Sequence, residues 1–318
     1  MLKVLYLPIG SQTGMVDAWK NVGVELNVYD FFTHWEQSRN RHAICQEFIR
    51  RVSEFQPDLI FMQLQFTGLI DPGVITEARR LAPNVVIANW TGDVRGHAIS
   101  EFIQTARVVD YPLISSTGQL DLYRSNGCSN VKYWQIGYDP KTLFPKHNTE
   151  FKYDISFLGN NYGPTFPDGA LRYGVANHLR STLGARFGLF GSGYHPAAPS
   201  IDPSLANNVY NDSICTLSIS NFNNVSHYFS DRLLHCMASG RPTICWYFPG
   251  CESYFVDGQE VFMVKSNKEI LDIAEYLKLN PEIATQIGIN GYQRAVREHT
   301  FTSRIIEFLH MSNLISRV

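Results

Sequence analysis

The sequence lacks three features that would assign it to particular classes of protein. It has no marked excess of one charge, since the formal net charge of its 318 residues is −2, and we therefore do not expect binding to nucleic acid along a whole basic surface. It has no stretch that approaches 18 apolar residues and no recognisable cleavable signal, so no membrane span or export is expected. Its six cysteines include no C-x-x-C pair. Buried free thiols in a reducing, cytoplasmic compartment are the prediction, in the host cell if the source is a virus.

What the sequence does contain is a regular alternation of strand and helix patterns. The chain is 44% hydrophobic and only 18% charged, which is typical of a packed globular protein. Its length favours two domains. Short apolar runs that end at glycine or proline predict parallel strands buried on both faces. In the first half these runs are 3–7, 24–29, 58–62, 85–88, 111–114 and 131–134, and in the second half 154–158, 187–190, 214–219 and 242–246.

Helical spacing between these runs predicts an α/β fold with two Rossmann-like domains. A polar, proline-bearing stretch at 138–152 is interpreted as the linker. We assign residues 1–145 to the first domain and 146–300 to the second. A last helix over 302–314, capped by Thr302, is expected to pack back on the first domain as segment 301–318. Ligands of such sheets bind beyond the carboxyl ends of the strands.

The most specific part of the sequence lies between Ser230 and Arg304. It contains the segments Ser230-Asp231-Arg232, Met237-Ala238-Ser239-Gly240-Arg241-Pro242, Pro249-Gly250-Cys251-Glu252, Asp257-Gly258-Gln259-Glu260 and Arg297-Glu298-His299-Thr300-Phe301. This region resembles the C-terminal half of GT-B glycosyltransferases, and above all the group related to the CgeB spore-maturation protein. The resemblance implies two domains facing each other across a cleft, with a nucleotide-sugar donor held mainly by the second.

Elementary physics supports a phosphate site at Ser230. A serine is a good N-cap for a helix that starts near Asp231. The helix N-terminus offers free N–H groups and a partial positive charge to a diphosphate. Arg232, in the first turn, is placed to bind the same phosphates with two hydrogen bonds. The alternative is that Ser230 only caps the helix and Arg232 only pairs with a surface carboxylate.

One departure from the family pattern concerns two histidines. Many retaining GT-B enzymes carry two glutamates spaced like His227 and His235, and use them on the sugar and on the ribose hydroxyls. A neutral imidazole accepts one hydrogen bond and does not grip two hydroxyls as a carboxylate does. We keep His227 as a candidate for the sugar or the leaving phosphate and His235 for the ribose. Glu252, on a loop after a strand, is a further candidate for donor hydroxyls.

Turns rich in glycine and asparagine give the remaining donor candidates. Gly allows the backbone to approach a ligand closely, and several such turns follow predicted strands. The candidates are Asn160, Gly191, Ser192 and Asn221 in the second half, and Gly10 and Ser11 in the first loop, which matches the loop that approaches the donor in GT-B folds.

The first domain is expected to hold the acceptor and the base. Asp93 follows the fourth strand next to Gly92, and glycosyl transfer needs a group that takes the acceptor's proton. Asp93 is the candidate for that base or for orienting the acceptor, and a pair with Arg95 is its plainer interpretation. The segment Phe31–Arg41 is predicted to be a loop crowded with aromatic and arginine side chains, suited to stacking on a sugar or base.

The resulting hypothesis is a metal-independent glycosyltransferase that moves a sugar from a nucleoside diphosphate, UDP above all, to an acceptor hydroxyl. It needs no cofactor, because Arg232 and backbone N–H groups meet the phosphate charge. Three alternatives stay open: glucosylation of a modified DNA base, epimerisation of a nucleotide sugar, and a non-catalytic coat or interaction protein with the same fold. The sequence does not decide the acceptor, the stereochemical outcome or the oligomeric state.

Overall fold

The computed structural model describes residues 1–65 and 67–316. The chain divides into two compact units. The first contains Met1–Ile136 together with the chain from Phe301 onward, and the second contains Gly137–Thr300. Each unit is built on one parallel β-sheet with helices between the strands. The predicted fold class of two parallel-sheet α/β domains is therefore confirmed.

The sheet of the first unit has six strands in the order β2-β1-β3-β4-β5-β6. The strands are β1 (Lys3–Leu7), β2 (Glu25–Val28), β3 (Leu59–Met62), β4 (Val86–Thr91), β5 (Tyr111–Ile114) and β6 (Lys132–Tyr133). The helices between them are α1 (Thr13–Asn21), α2 (Phe31–Ser38), α3 (Arg41–Phe55), α4 (Pro72–Leu81), α5 (Ser100–Ala106) and α6 (Leu120–Ser125).

The sheet of the second unit has five strands in the order β11-β10-β9-β7-β8. The strands are β7 (Tyr153–Leu158), β8 (Phe187–Phe190), β9 (Ser213–Ser218), β10 (Thr243–Trp246) and β11 (Phe262–Val264). The helices are α7 (Gly169–Leu183), α8 (Ala206–Asn211), α9 (Asp231–Ala238), α10 (Asn267–Leu279) and α11 (Pro281–Glu298).

The strand sequences follow from their position inside the sheets. All four residues of β3 and all six of β7 are buried. A strand covered by helices on both faces has no solvent-facing side, so its sequence is mostly apolar. Strand β3 is apolar throughout, whereas β7 also buries the polar residues Asp154 and Ser156. This explains why apolar runs located the strands to within one or two residues in most cases.

The last helix, α12 (Phe301–Met311), belongs to the first unit. Its Phe308 packs edge-on against Phe61 of β3, with ring centroids 5.2 Å apart. The indole N–H of Trp134 donates to the carbonyl of Arg304 at 2.9 Å. The helix begins at Phe301, so Thr302 lies inside the first turn, and its prediction as the cap is wrong.

The segment Phe31–Arg41 is not the predicted loop. Residues 31–38 form α2, and α3 begins at Arg41. The carboxylate of Asp30 accepts hydrogen bonds from the backbone N–H and the hydroxyl of Thr33, which starts the helix, and Phe31 is fully buried. The cap at Asp30 and the burial of Phe31 outweigh the low helix propensity of the aromatic residues.

Candidate functional site

The guanidinium group of Arg232 lies at the carboxyl ends of two neighbouring strands. Its Nε donates to the carbonyl of Leu158, the last residue of β7. Its Nη1 donates to the carbonyl of Ile219, just beyond β9, at 3.0 Å. The group lies 5.2 Å from the centre of the Phe157 ring. A Cβ atom at Gly159 would lie 2.6 Å from Nη2, so the guanidinium occupies space that only a glycine leaves.

A second arginine, Arg172 of α7, reaches the same place from within the unit. Its side chain is 1% exposed. Its Nη2 donates to the carbonyl of Ile219 at 2.6 Å and its Nη1 to that of Asn160. Its Nε has no hydrogen-bond partner. Burial, and next the charge of Arg232, lower the pKa of Arg172 to about 9.

Neither guanidinium group pairs with a carboxylate of the described residues. Among the described residues, their hydrogen bonds go only to carbonyl and hydroxyl oxygens. The acids near them in sequence are engaged elsewhere: Asp168 accepts from Asn223, and Asp231 accepts from the backbone N–H of Arg232 at 2.8 Å. Two adjacent cations without a counter-ion raise the free energy of the site, and a bound anion would offset that cost.

The arginine pair lies where the topology favours ligand binding. In the second unit β7 pairs with both β8 and β9, so the crossover connections run to opposite sides from β7. Ligands of doubly wound sheets bind at such a switch point, beyond the carboxyl ends of the strands. Leu158, Ile219 and the two arginines occupy that place in this sheet.

Ser230 is the N-cap of α9 by position but not by side-chain bonding. Its backbone is extended, as a cap requires, yet its hydroxyl accepts no hydrogen bond from the helix. The hydroxyl oxygen instead lies 3.4 Å from Nη1 of Arg232. The prediction of a capping serine is therefore wrong in its hydrogen bond. The backbone N–H of Arg232 already donates to the carboxylate of Asp231. The arginine side chains are therefore better placed than the N-terminus of α9 to donate hydrogen bonds to an anion.

The glycine and asparagine turns after β7 and β8 pack against each other. The side-chain carbonyl of Asn160 accepts from the N–H of Ser192 at 2.9 Å, and the N–H of Asn161 donates to the carbonyl of Ser192 at 2.8 Å. A Cβ atom at Gly191 or Gly193 would overlap the backbone of the facing turn. Close packing of the two turns therefore accounts for these glycines.

Asn221, at the end of β9, leaves a polar atom without a partner. Its backbone carbonyl accepts from the N–H of Asp168 at 3.2 Å. Its side-chain Oδ1 is buried and has no hydrogen-bond partner. A buried acceptor without a partner costs free energy unless a ligand or water donates to it.

His227 lies on the loop before α9 in the left-handed backbone region, with φ at 57°. Its N–H donates to the carbonyl of Pro249 at 2.8 Å. Its ring lies against Gly250, where a Cβ atom would be 2.6 Å from Nε2, and edge-on to Tyr254 at 5.7 Å. The turn before Cys251 therefore fixes the position of the imidazole.

The two remaining candidates of this unit differ in exposure. Glu252 is exposed on the short 3-10 helix Cys251–Ser253, and a hydrogen bond from its own backbone N–H lowers the pKa of its carboxyl group. His235 is half-buried in α9, and burial lowers the pKa of its imidazole. His235 is therefore mainly neutral at pH 7.

The candidates in the first unit lie on its carboxyl-end loops. Gly10 has φ at 74° with open space around its Cβ position, so its turn needs glycine for conformation rather than for close packing. Ser11 beside it is exposed. Asp93 follows β4 and forms an ion pair with Arg95 at 3.0 Å, which is the plainer interpretation given above. The Asp93 side chain is 46% exposed.

Neutral amides and hydroxyls line the same end of the first sheet. Gln63 accepts from the N–H of Ile9 at 3.3 Å, and Asn89 accepts from that of Leu64 at 3.0 Å. The side-chain nitrogen of Asn89 and the hydroxyl of Ser116 are buried without partners. This edge therefore offers neutral hydrogen-bonding groups together with two ion pairs, Asp93 with Arg95 and Asp71 with Arg41.

Sequence reasoning missed Arg172. A signal for it exists, because residues 172, 175, 176 and 179 share one face of α7 and the other three are the apolar core residues Val175, Ala176 and Leu179. An arginine at a core-facing position of an amphipathic helix indicates a buried charge, which is rare in proteins and points to a functional or specific structural role.

Residues 1–65 and 67–316 contain neither a candidate metal-binding cluster nor a candidate membrane-spanning helix. No group of three or more histidine, cysteine or acidic side chains is arranged to hold a metal ion. No helix combines the length and apolar character that a membrane crossing requires.

Comparison with known proteins relates both units to glycosyltransferases. The family described as "Glycosyl transferase-like" matches residues 174–310, which is less than half of the chain. A search of curated protein sequences found no significant match. Anabaena Alr3699/HepE, solved in complex with UDP-glucose, matches over 99% of this chain and 100% of its own, with a TM-score of 0.60 and 12% identity.

Two other solved structures match over nearly the full length. Sucrose-phosphate synthase from Thermosynechococcus elongatus covers 99% of both chains, with a TM-score of 0.60 and 11% identity. A glycosyltransferase from Rickettsia africae covers 98% of both chains, with a TM-score of 0.62 and 11% identity. At these identities the likeness shows the fold alone, and the two parallel-sheet units are those of GT-B glycosyltransferase structures.

Proposed function

We propose that this protein is a glycosyltransferase that uses a nucleoside-diphosphate sugar, with UDP as the nucleotide. The observation that carries the proposal is the pair Arg172 and Arg232, two cations without a carboxylate at the switch point of a GT-B second sheet. The match of the family over residues 174–310 includes Arg232 and supports the same conclusion. Within this class, the motifs around Ser230 favour the CgeB-related group.

The arginine pair suits the diphosphate of a departing nucleotide. Nη2 of Arg232 has no hydrogen-bond partner among the described residues and remains free to donate to a ligand oxygen. Arg172 lies behind it and adds a second charge. Negative charge grows on the diphosphate as the glycosidic bond breaks, and fixed cations stabilise that charge without reorganisation. We therefore propose a reaction that needs no metal ion.

The other candidate residues are proposed to contact the rest of the donor. The unpartnered Oδ1 of Asn221 and the exposed turns at Asn160 and Ser192 suit the ribose and base. His227 and Glu252 suit the sugar, and His235 in α9 the ribose. Asp93 is proposed as the base that takes the acceptor's proton, and Gly10 and Ser11 as contacts to the donor from the first loop.

A cytoplasmic location remains part of the proposal. All six cysteines are free, and all except Cys45 are buried. Free thiols fit a reducing compartment. The acceptor is a hydroxyl of unspecified origin. The aromatic and arginine side chains of Phe31–Arg41 were the reason to keep a DNA acceptor as an alternative. This segment forms α2 and the start of α3, and its Phe31 is buried.

The test is a calorimetric titration of the full chain with UDP and UDP-glucose, in EDTA and then in Mg²⁺. We expect binding in EDTA that Mg²⁺ does not strengthen. Arg232→Met should weaken UDP about tenfold or more, since a charged hydrogen bond contributes about 1.5–3 kcal/mol. Arg180→Met on α7 is the matched control and should bind like the wild type, because Arg180 bonds only a loop carbonyl.

Product analysis with UDP-glucose alone separates the alternatives. A glycosyltransferase should release UDP and glucose slowly, whereas an epimerase should give a new UDP-sugar without release. Binding without either product would indicate a non-catalytic protein. If Arg232→Met bound UDP as well as Arg180→Met does, the proposed donor site would be wrong.

A further inference from the structure

The second unit contains a cavity at the end of its sheet opposite to the arginine pair. Its volume is about 480 Å³. The cavity lies between the amino ends of β9 and β10, the segment from Pro145 to Phe151, and the junction of α10 with α11. Strand β9 has six residues and is therefore about 20 Å long. The cavity is thus a strand's length away from the carbonyl of Ile219.

The walls of the cavity are mostly apolar. They include the side chains of Pro145, Phe151, Pro242, Leu277, Ala284 and Ile289. Ile289 is 41% exposed, although it is a large aliphatic residue. Ligand sites in proteins are typically concave, about 300–1,000 Å³ in volume and mostly apolar, with a few polar groups that fix the ligand. The size and lining of this cavity fall within that description.

Arg241 is the polar group that distinguishes this cavity. Its Nη2 donates to the carbonyl of Lys146 at 3.1 Å, and its guanidinium lies 4.6 Å from the centre of the Phe151 ring. Its Nη1 donates to none of the described residues and, unlike the buried Nε, is accessible. A ligand oxygen in the cavity can therefore accept a charged hydrogen bond from Nη1. The planar guanidinium suits a carboxylate, sulfonate or phosphate.

The other charges around the cavity strengthen the preference for an anion. Lys146 and Lys278 also line it. Lys278 is paired with Asp154 at 3.1 Å, while Lys146 bonds the amide oxygen of Asn208 and so keeps its positive charge unmatched. The carboxylate of Asp212 is near enough to favour the charged form of Arg241 by its negative charge, but among the described residues the two form no ion pair. The cavity thus combines an apolar interior with an excess of positive charge.

We propose that this cavity is a second ligand site, for an amphipathic organic anion with one acidic group on an apolar body. The acidic group binds Arg241 and the apolar body fills the space between Phe151, Leu277 and Ala284. The site is separate from the donor site, and the proposal does not depend on the activity proposed above.

The test uses two fluorescent probes that differ by one acidic group. The anion is 8-anilinonaphthalene-1-sulfonate, and the neutral probe is N-phenyl-1-naphthylamine. Each is titrated into the full chain with and without saturating UDP. We expect one equivalent of the anion to bind, and UDP not to displace it. Arg241→Met should weaken the anion about tenfold, as expected for loss of a charged hydrogen bond, and leave the neutral probe within about twofold.

A second variant tests the cavity itself. Ala284→Phe should fill the space and abolish the binding of both probes, whereas Arg232→Met should change neither. A cooperative thermal transition for each variant shows that it is folded. Displacement of the anion by UDP, or equal affinity of wild type and Arg241→Met for the anion, would overturn the proposal. So would unchanged binding in a folded Ala284→Phe, and this variant decides alone if Arg241→Met does not fold.

Discussion

The carboxyl ends of the two sheets carry different chemistry on the same topology. In both units the strand order, numbered within the unit, is 2-1-3-4-5, extended by one strand in the first. The first sheet ends in neutral amides and hydroxyls such as Gln63, Asn89 and Ser116, and in carboxylates paired with arginine, Asp71 and Asp93. The second ends in the unpaired cations Arg172 and Arg232. The shared fold therefore does not determine the ligand, and the side chains at the strand ends do.

The difference suggests a division of labour. Neutral hydrogen-bonding groups suit hydroxyl-bearing molecules, because they do not require a charged partner. Unpaired guanidinium groups suit phosphate. A donor held by the second unit and an acceptor held by the first is the arrangement that this comparison favours, and four experiments test it.

The largest expected effect concerns Asp93, the candidate base at the edge of the first sheet. If Asp93 takes the acceptor's proton, Asp93→Asn should lower the rate of sugar transfer about a hundredfold and leave the affinity for UDP unchanged. Asp110→Asn is the matched control, since Asp110 also pairs with one arginine at 2.9 Å but precedes β5 rather than following a strand. Equal rates for the two variants would remove Asp93 from catalysis.

The second-largest effect is expected on stability, in a comparison of two glycines, one at the carboxyl end of each sheet. Gly193 has φ at 82° and a Cβ there would overlap the carbonyl of Asn161, whereas Gly10 has φ at 74° in open space. Gly193→Ala should lower the free energy of unfolding by about 2 kcal/mol or more, and Gly10→Ala by about 1 kcal/mol. Urea denaturation measures both. Equal losses would show that the turns after β7 and β8 do not need their close packing.

A third experiment removes the buried charge of the second edge. Arg172→Met should weaken UDP about tenfold. The free energy of unfolding should stay within about 1 kcal/mol of the wild type, because the lost bond to the Asn160 carbonyl is offset by the removal of an unpaired buried cation. Calorimetry and urea denaturation give the two values. A large loss of stability with full UDP affinity would make Arg172 a purely structural residue.

The smallest expected effect is a pH dependence from His235. Burial lowers the pKa of this imidazole, so protonation favours the unfolded state. The stability is complete above the unfolded pKa of about 6.5 and falls as the pH drops below it. We expect the free energy of unfolding to fall between pH 7 and pH 5, and His235→Gln to reduce that fall. His178→Gln, at an exposed position of α7, should leave the slope unchanged.

The sequence predicted the sheets well, because the buried parallel strands are mostly apolar. It missed α5, α6, α8 and β11, whose short patterns carry weak periodicity. It also read Phe31–Arg41 as a loop, since composition does not reveal that Asp30 caps a helix there.

The sequence predicted where α9 begins, but not the contacts that its first residues make. Ser230 and Arg232 lie where the motif indicated, but the hydroxyl of Ser230 faces the guanidinium and not the helix. Arg172 reaches this site only because the fold brings α7 against the end of β9, about fifty residues away in sequence. No local sequence pattern predicts that contact. The burial of an arginine within an apolar helix face was the only available sign.

The return of α12 to the first unit makes that unit discontinuous in the chain. Phe308 and Ile305 complete an apolar cluster that already holds Phe61 and Trp134. During synthesis the ribosome releases the whole second unit before it releases these side chains. The first unit therefore keeps part of its apolar core exposed until α12 has been synthesised. The second unit is continuous in the chain and can complete its folding before then.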